Sequence, residues 1–106
     1  PTLASGGCTT PTAVTNSAAA FAQLAVFSVG VGTSCSGSQP LVFTLPAATT
    51  GWNCTARNST NAATSAPAHS SVVSTTSVTI TNYARTTGIA AAWTDSDNVV
   101  VTCARQ

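Results

Sequence analysis

Residues 52–58 read Trp-Asn-Cys-Thr-Ala-Arg-Asn and carry the clearest structural signal in the chain. The apolar side chains Trp52, Cys54 and Ala56 stand at every second position, with polar residues between them. Because successive side chains of a β-strand point to opposite faces, this alternation predicts a strand with one face in a core. The stretch 99–103, Val-Val-Val-Thr-Cys, predicts a second such strand that ends on an inward cysteine.

The chain has four cysteines, Cys8, Cys35, Cys54 and Cys103. An even number in a short chain indicates disulfides, for which three pairings are possible. Two of the cysteines lie on the inward faces of the two predicted strands, so we predict the pair Cys54–Cys103. The other two lie in Gly- and Ser-rich turns and are left to form Cys8–Cys35. Zinc sites need closely spaced cysteines, which this sequence lacks, so neither a metal nor another cofactor is expected.

Charged residues make up only 5% of the 106 residues, and the net charge is +1. Nucleic-acid binding proteins cluster Lys and Arg on one face, so this composition excludes that class. No run of 18 apolar residues is present, so membrane insertion is not expected either. Thr and Val are abundant and favour strands. A surface with so little charge is prone to self-association, so we expect an oligomer or a partner protein.

Short apolar stretches between turn residues predict strands along most of the chain. The predicted strands are 21–31, 41–45, 52–58, 72–73, 77–82, 89–94 and 98–104. We expect 72–73 to form a hairpin with 77–82, and 89–94 to pair with 98–104 across the turn Asp95-Ser96-Asp97. Residues 59–71 are predicted to form a surface loop, and residues 1–20 an irregular N-terminal lead-in.

Short strands with turns at such close spacing are typical of a sandwich or barrel. We therefore predict a single all-β domain over residues 1–106. Its expected architecture is an antiparallel β-sandwich of about 6–8 short strands with two disulfides. The sequence leaves open whether the order of strands is jelly-roll-like or immunoglobulin-like.

Few side chains in this sequence could carry out catalysis. Asp95 and Asp97 are both expected to be exposed in a turn, whereas glycoside hydrolysis needs two carboxylates in different environments. The same stretch offers fewer oxygen ligands than calcium requires. His69 is the only histidine and lies in a polar loop, where an exposed ring without a catalytic role is the simpler interpretation. We predict no catalytic residue, and the chain is not expected to be an enzyme.

Aromatic side chains are the remaining candidates for a binding role. Tyr83 and Trp93 lie near the ends of loops and are possible contacts for a ligand or receptor, although a tryptophan is more often buried. Trp52 shares the inward phase of its strand and is expected in the core. Asn53 and Asn58 begin N-x-S/T sequons, which matter only in a eukaryotic secretory host.

Six segments in order carry a resemblance to a known family. They are 5–11 (SGGCTTP), 29–35 (VGVGTSC), 42–45 (VFTL), 52–56 (WNCTA), 74–80 (STTSVTI) and 99–103 (VVVTC). Together they resemble the small cysteine-containing β-domains at the C-terminal ends of bacteriophage and prophage tail fibres and related virion appendage proteins. The sequence departs from that pattern by a longer stretch at 61–71.

The resemblance implies a β-sandwich that forms a homotrimer on the virion surface and attaches to the host. The expected partners are other copies of the chain, other virion proteins and a host-surface glycan. One alternative is a capsid decoration (cement) or head-fibre protein, which binds capsomers instead of a receptor. Another is a self-assembling extracellular filament or adhesin subunit, which the neutral surface also favours.

Overall fold

The computed structural model describes residues 1–16, 24–69 and 74–105. Within these ranges the chain forms eight strands and no helix. The strands are β1 (Thr2–Ser5), β2 (Thr15–Asn16), β3 (Leu24–Gly30), β4 (Leu41–Thr44), β5 (Trp52–Asn58), β6 (Ala68–His69), β7 (Ser77–Thr81) and β8 (Asn98–Arg105). The all-β prediction is confirmed. No helix in this part of the chain is long and apolar enough to cross a membrane.

The strands form two four-stranded antiparallel sheets, in the orders β1-β4-β7-β6 and β2-β3-β8-β5. An immunoglobulin sandwich opposes a sheet of strands A, B, E and D to a sheet of strands C, F and G. Here β1 takes the place of A, and β4 to β8 take the places of B to F. β3 pairs with β8 where strand G would pair with F. The order is therefore immunoglobulin-like, with the strand at the G position supplied from before strand B.

The core lies between the two sheets and follows from the alternation in the sequence. In β5, Trp52 and Cys54 are buried while Asn53 and Thr55 are exposed. Phe27 of β3 and Phe43 of β4 meet edge to face across the sandwich, with ring centroids 4.9 Å apart. The fully buried apolar side chains also include Val29, Val31, Leu41, Ile80, Val99 and Val101.

Both disulfides have the predicted pairing. Cys54 and Cys103 stand directly opposite each other on β5 and β8, with their Cα atoms 4.0 Å apart. Cys8 and Cys35 join two connections outside the sheets. Disulfides persist in oxidising compartments, so the two bonds indicate an extracellular or secreted setting.

The N-terminal segment is more regular than predicted. Residues Thr2–Ser5 pair with β4, and Thr15–Asn16 pair with β3, so the expectation of an irregular lead-in over 1–20 is wrong for these residues. Strands of two to four residues show too little alternation to be found in a sequence, and their neighbours in the sheet supply the hydrogen bonds that order them. Residues 17–20 lie outside the described part of the chain.

The predicted hairpin of 89–94 with 98–104 is also wrong. β8 pairs with β3 on one side and with β5 on the other, so neither of its edges is open to residues 89–94. The Asn82 side chain instead holds this segment, because its amide donates to the carbonyl of Ala92 at 3.0 Å. The segment therefore leads into the core through Trp93 without forming a strand.

Two further predictions are changed by the structure. The predicted loop 59–71 contains the short strand β6 at Ala68–His69, which pairs with β7. The predicted strand 21–31 is shorter in its described part, where β3 covers Leu24–Gly30. Residues 21–23 and the predicted strand 72–73 lie outside the described residues.

Candidate functional site at one end of the sandwich

The connections are distributed unequally between the two ends of the sandwich. Where β3 ends and β8 begins, four connections come together, and we call this region the loop end. They are 6–14, 31–40, 59–67 and 82–97. At the opposite end Thr2 pairs with Thr44, and Arg105 pairs with Trp52, so the first and last strands start and finish there. Binding residues are commonly found on loops that a rigid scaffold positions, so the loop end is the candidate site.

The Cys8–Cys35 disulfide ties the first two of these connections together. The Cys8 amide donates to the carbonyl of Val31 at 2.7 Å. Thr9 and Thr33 exchange two backbone hydrogen bonds of 2.8 and 2.9 Å. The two connections therefore behave as one short antiparallel ribbon that is crosslinked at its side.

Backbone strain is concentrated in the same region. Three non-glycine residues have a positive φ in the described chain, namely Thr10 (55°), Ser34 (56°) and Ser96 (63°). All three lie in connections of the loop end. Such conformations are unfavourable for side chains with a Cβ and persist only where the surroundings enforce them, which is common at functional sites. The loop end is therefore held in one shape by its contacts.

Asp95 lies on the surface of the loop end and caps backbone groups. Its carboxylate accepts a hydrogen bond of 2.9 Å from the Cys35 amide. Backbone hydrogen bonds from Cys35 and then Ser34 hold the pKa of Asp95 below its ordinary value. This carboxylate thus fixes the position of the disulfide-bonded ribbon against the turn before β8.

Asp97 is buried, which corrects the expectation that both aspartates are exposed. Only 1% of the residue is accessible to solvent. One carboxylate oxygen accepts from the Thr94 amide at 2.9 Å, and the other accepts from the side-chain amide of Asn61. Its backbone carbonyl accepts from Val31 at 2.9 Å. Asp97 therefore joins three of the four connections from the inside.

A small hairpin over residues 83–90, called the 83–90 hairpin below, lies at the surface of the loop end. Tyr83 bridges to Ala90, and the Ala84 amide donates to the carbonyl of Ile89 at 3.0 Å. Ile89 is 68% exposed and is the only large apolar side chain so exposed in the described part of the chain. Because this aliphatic side chain is exposed, it is available to contact another surface.

Buried polar groups support this hairpin from below. Asn82 is 5% exposed and donates from its side-chain amide to the carbonyls of Ala91 and Ala92. The Ser65 hydroxyl donates to the Asn82 side-chain oxygen. Because Asn82 has partners on both sides, the base of the hairpin is fixed to the neighbouring connection 59–67.

Arg85 is the cation of this hairpin, and it is anchored twice. Its backbone amide donates to the carbonyl of Thr64 at 3.0 Å. Its side-chain Nε donates to the carbonyl of Ala62. The two acidic side chains of the sequence, Asp95 and Asp97, are bonded to other groups as described above. The terminal nitrogens of an exposed guanidinium are therefore presented at the surface.

The two predicted contact residues differ in accessibility. Trp93 is only 2% exposed, and its indole donates to the carbonyl of Gln39 at 2.8 Å, so the ring offers no face to a ligand. Its inward position closes the core beneath the loop end. Tyr83 is half-buried at the base of the 83–90 hairpin and remains a candidate contact. Ile89 is not predicted as a contact because residues 89–94 are predicted to form a strand, although Thr86-Thr87-Gly88 before it is a turn signal. No motif in the sequence singles out Arg85.

The remaining polar residues considered in the sequence, His69, Asn58 and Asn53, lie on strands β5 and β6. His69 on β6 accepts a hydrogen bond at Nδ1 from the Cys54 amide at 3.4 Å, and burial lowers the pKa of His69. Asn58 is buried and accepts from the amides of Thr60 and Asn61, so the second sequon has no accessible acceptor. Asn53 is exposed on β5. Among the described residues no group of three metal-binding side chains lies together.

One concave feature lies at the side of the sandwich. An open groove runs between residues 1–3, at the start of β1, and residues 11–14, which lead into β2. Its lining is mostly Pro, Ala, Val and Leu side chains. β1 pairs with β4, and within the described chain its other edge faces this groove.

Comparison with known proteins gives no match: no protein-family model, curated protein or solved structure shows significant similarity to the chain.

Proposed function

We propose that this chain is a bacteriophage virion structural protein, a tail-fibre or spike-type appendage domain that attaches to the host surface through its loop end. The observation that carries the proposal is the position of the 83–90 hairpin. It presents Ile89 at the end of the sandwich opposite the start of β1 and the end of β8. A domain joined to a larger assembly through its termini would direct this hairpin outward.

Three further features support the proposal. The six segments that resemble tail-fibre domains run through the whole sandwich. Two disulfides suit a particle that persists outside cells. The low content of charged residues favours association between copies, consistent with a homotrimer. In this function the chain acts by surface contact and has no catalytic role.

Cell binding tests the proposal. Fluorescently labelled protein is mixed with a panel of bacterial strains and measured by flow cytometry, for the unaltered chain, Ile89→Asp and Thr50→Asp. Thr50 is the matched control because it is exposed in the connection between β4 and β5 at the opposite end. We expect binding to a subset of strains that is reduced at least tenfold by Ile89→Asp and unchanged by Thr50→Asp. Binding to none of the strains, or equal loss in both variants, would overturn it.

The side groove favours a second candidate, a self-assembling filament or adhesin subunit. An extended segment of another copy could add to the open edge of β1 and place side chains in the groove. Light scattering separates the two proposals. A trimer whose mass does not change with concentration supports the appendage domain, whereas growth into fibres supports the filament subunit.

A further inference from the structure

We infer that Arg85 is the contact for a carboxylate group of an acidic host-surface polysaccharide. The inference rests on the proposed function and specifies its partner. It starts from the two anchors of Arg85, the backbone bond to Thr64 and the bond from Nε to the carbonyl of Ala62. The first bond holds the backbone at Arg85, and the second holds the Nε of a side chain that is otherwise among the most flexible.

The remaining geometry of Arg85 suits a planar anion. Because Nε is bonded to the carbonyl of Ala62, a ligand would contact the guanidinium through its two terminal nitrogens. A guanidinium presents paired N–H groups in a plane that matches the two oxygens of a carboxylate. Because the side chain is held before binding, less conformational entropy is lost when a ligand arrives.

Charge balance favours a carboxylate over a phosphate. The chain has only three Lys and Arg residues, and Arg85 is the one on the 83–90 hairpin. One guanidinium neutralises one carboxylate, whereas a phosphate monoester carries about two negative charges at neutral pH. Ile89 is exposed on the same hairpin, so its aliphatic side chain is available to contact another part of the same polysaccharide.

The inference predicts how single variants change binding. Arg85→Gln should weaken binding about tenfold or more, in the range expected for hydrogen bonds to a charged group. Arg85→Lys keeps the charge without the planar fork and should weaken binding less. Arg57→Gln is the matched control, because Arg57 is exposed on the outer face of β5. This substitution changes the net charge by the same amount as Arg85→Gln.

The test is biolayer interferometry on immobilised polygalacturonate, on its methyl ester and on a dextran that carries phosphate monoester groups. We expect binding to polygalacturonate only, weakened by added salt, weakened about tenfold or more by Arg85→Gln and unchanged by Arg57→Gln. Equal binding to the ester, preference for the phosphate polymer, or equal loss in both arginine variants would overturn the inference. Cell binding that survives Arg85→Gln but is lost in Ile89→Asp would also overturn it and leave the proposed function standing.

Discussion

Replacing Asp97 with asparagine tests whether the buried carboxylate holds the loop end together. The substitution preserves shape and removes the charge. Asp97 now accepts two hydrogen bonds, from the Thr94 amide and from the Asn61 side chain. An asparagine has one oxygen and one NH2 group, so it can accept from only one of these donors. At the other position two donors face each other inside the protein.

The magnitude follows from those two bonds. A hydrogen bond to a charged group contributes about 1.5–3 kcal/mol, and a neutral one about 1 kcal/mol. One bond is weakened and the other is replaced by an unsatisfied pair of donors, so Asp97→Asn should cost about 3 kcal/mol. For a domain of this size each kcal/mol lowers Tm by about 4–8 °C, which gives a decrease of roughly 12–24 °C.

Scanning calorimetry at neutral pH with both disulfides intact measures this effect. Asp95→Asn is the matched control, because it makes the same change two residues away at an exposed carboxylate and should lower Tm far less. Equal decreases for the two variants, or a decrease of only a few degrees in Asp97→Asn, would refute the role assigned to burial.

Three other perturbations test separate parts of the fold. Replacing both Cys54 and Cys103 with alanine should lower the free energy of unfolding by about 4 kcal/mol, given the 49-residue separation of the pair. Denaturant unfolding measures this, and a decrease under about 1 kcal/mol would contradict the chain-entropy argument. Burial lowers the pKa of His69 from 6.5 in the folded chain, so as the pH falls the unfolded chain takes up this proton before the folded chain does. The free energy of unfolding should therefore fall as the pH drops below 6.5 towards the folded-state pKa. His69→Gln should remove this decline in pH-dependent melting, and a decline that persists would exclude His69 as its cause. Gly6→Ala should prevent folding, because a Cβ at this position would lie 1.7 Å from the carbonyl oxygen of Pro40. Gly37→Ala is the control, since Gly37 also has a positive φ but a Cβ there would meet no atom within 4 Å. Equal melting of the two variants by circular dichroism would contradict the clash.

The parts of the fold that the sequence predicts are those with long alternation. β5 has the predicted bounds, and both disulfides follow from the inward phase of Cys54 and Cys103. β1, β2 and β6 have two to four residues each, too few for a period of two to be recognised. Their hydrogen bonds come from neighbouring strands that are distant in the sequence, so local propensity does not reveal them.

The candidate site was harder to predict for a related reason. The residues Asp95-Ser96-Asp97 predict the turn, but the side chain that bonds the buried Asp97 carboxylate is Asn61, 36 residues away. An aspartate in a turn rich in polar residues predicts exposure on its own. Residues 89–94 are rich in alanine and end near a tryptophan, which resembles a strand until the partner edge is known to be occupied.

The loop end separates the groups that maintain its shape from the groups that are available to a partner. Asp97 and Asn82 face inward and hydrogen-bond backbone groups that would otherwise be unpaired, and the Cys8–Cys35 bond joins two connections covalently. Ile89 and the end of the Arg85 side chain face outward and contribute little to packing. Substitutions at the inward groups should therefore lower stability and binding together, whereas substitutions at the outward pair should alter binding at nearly constant Tm.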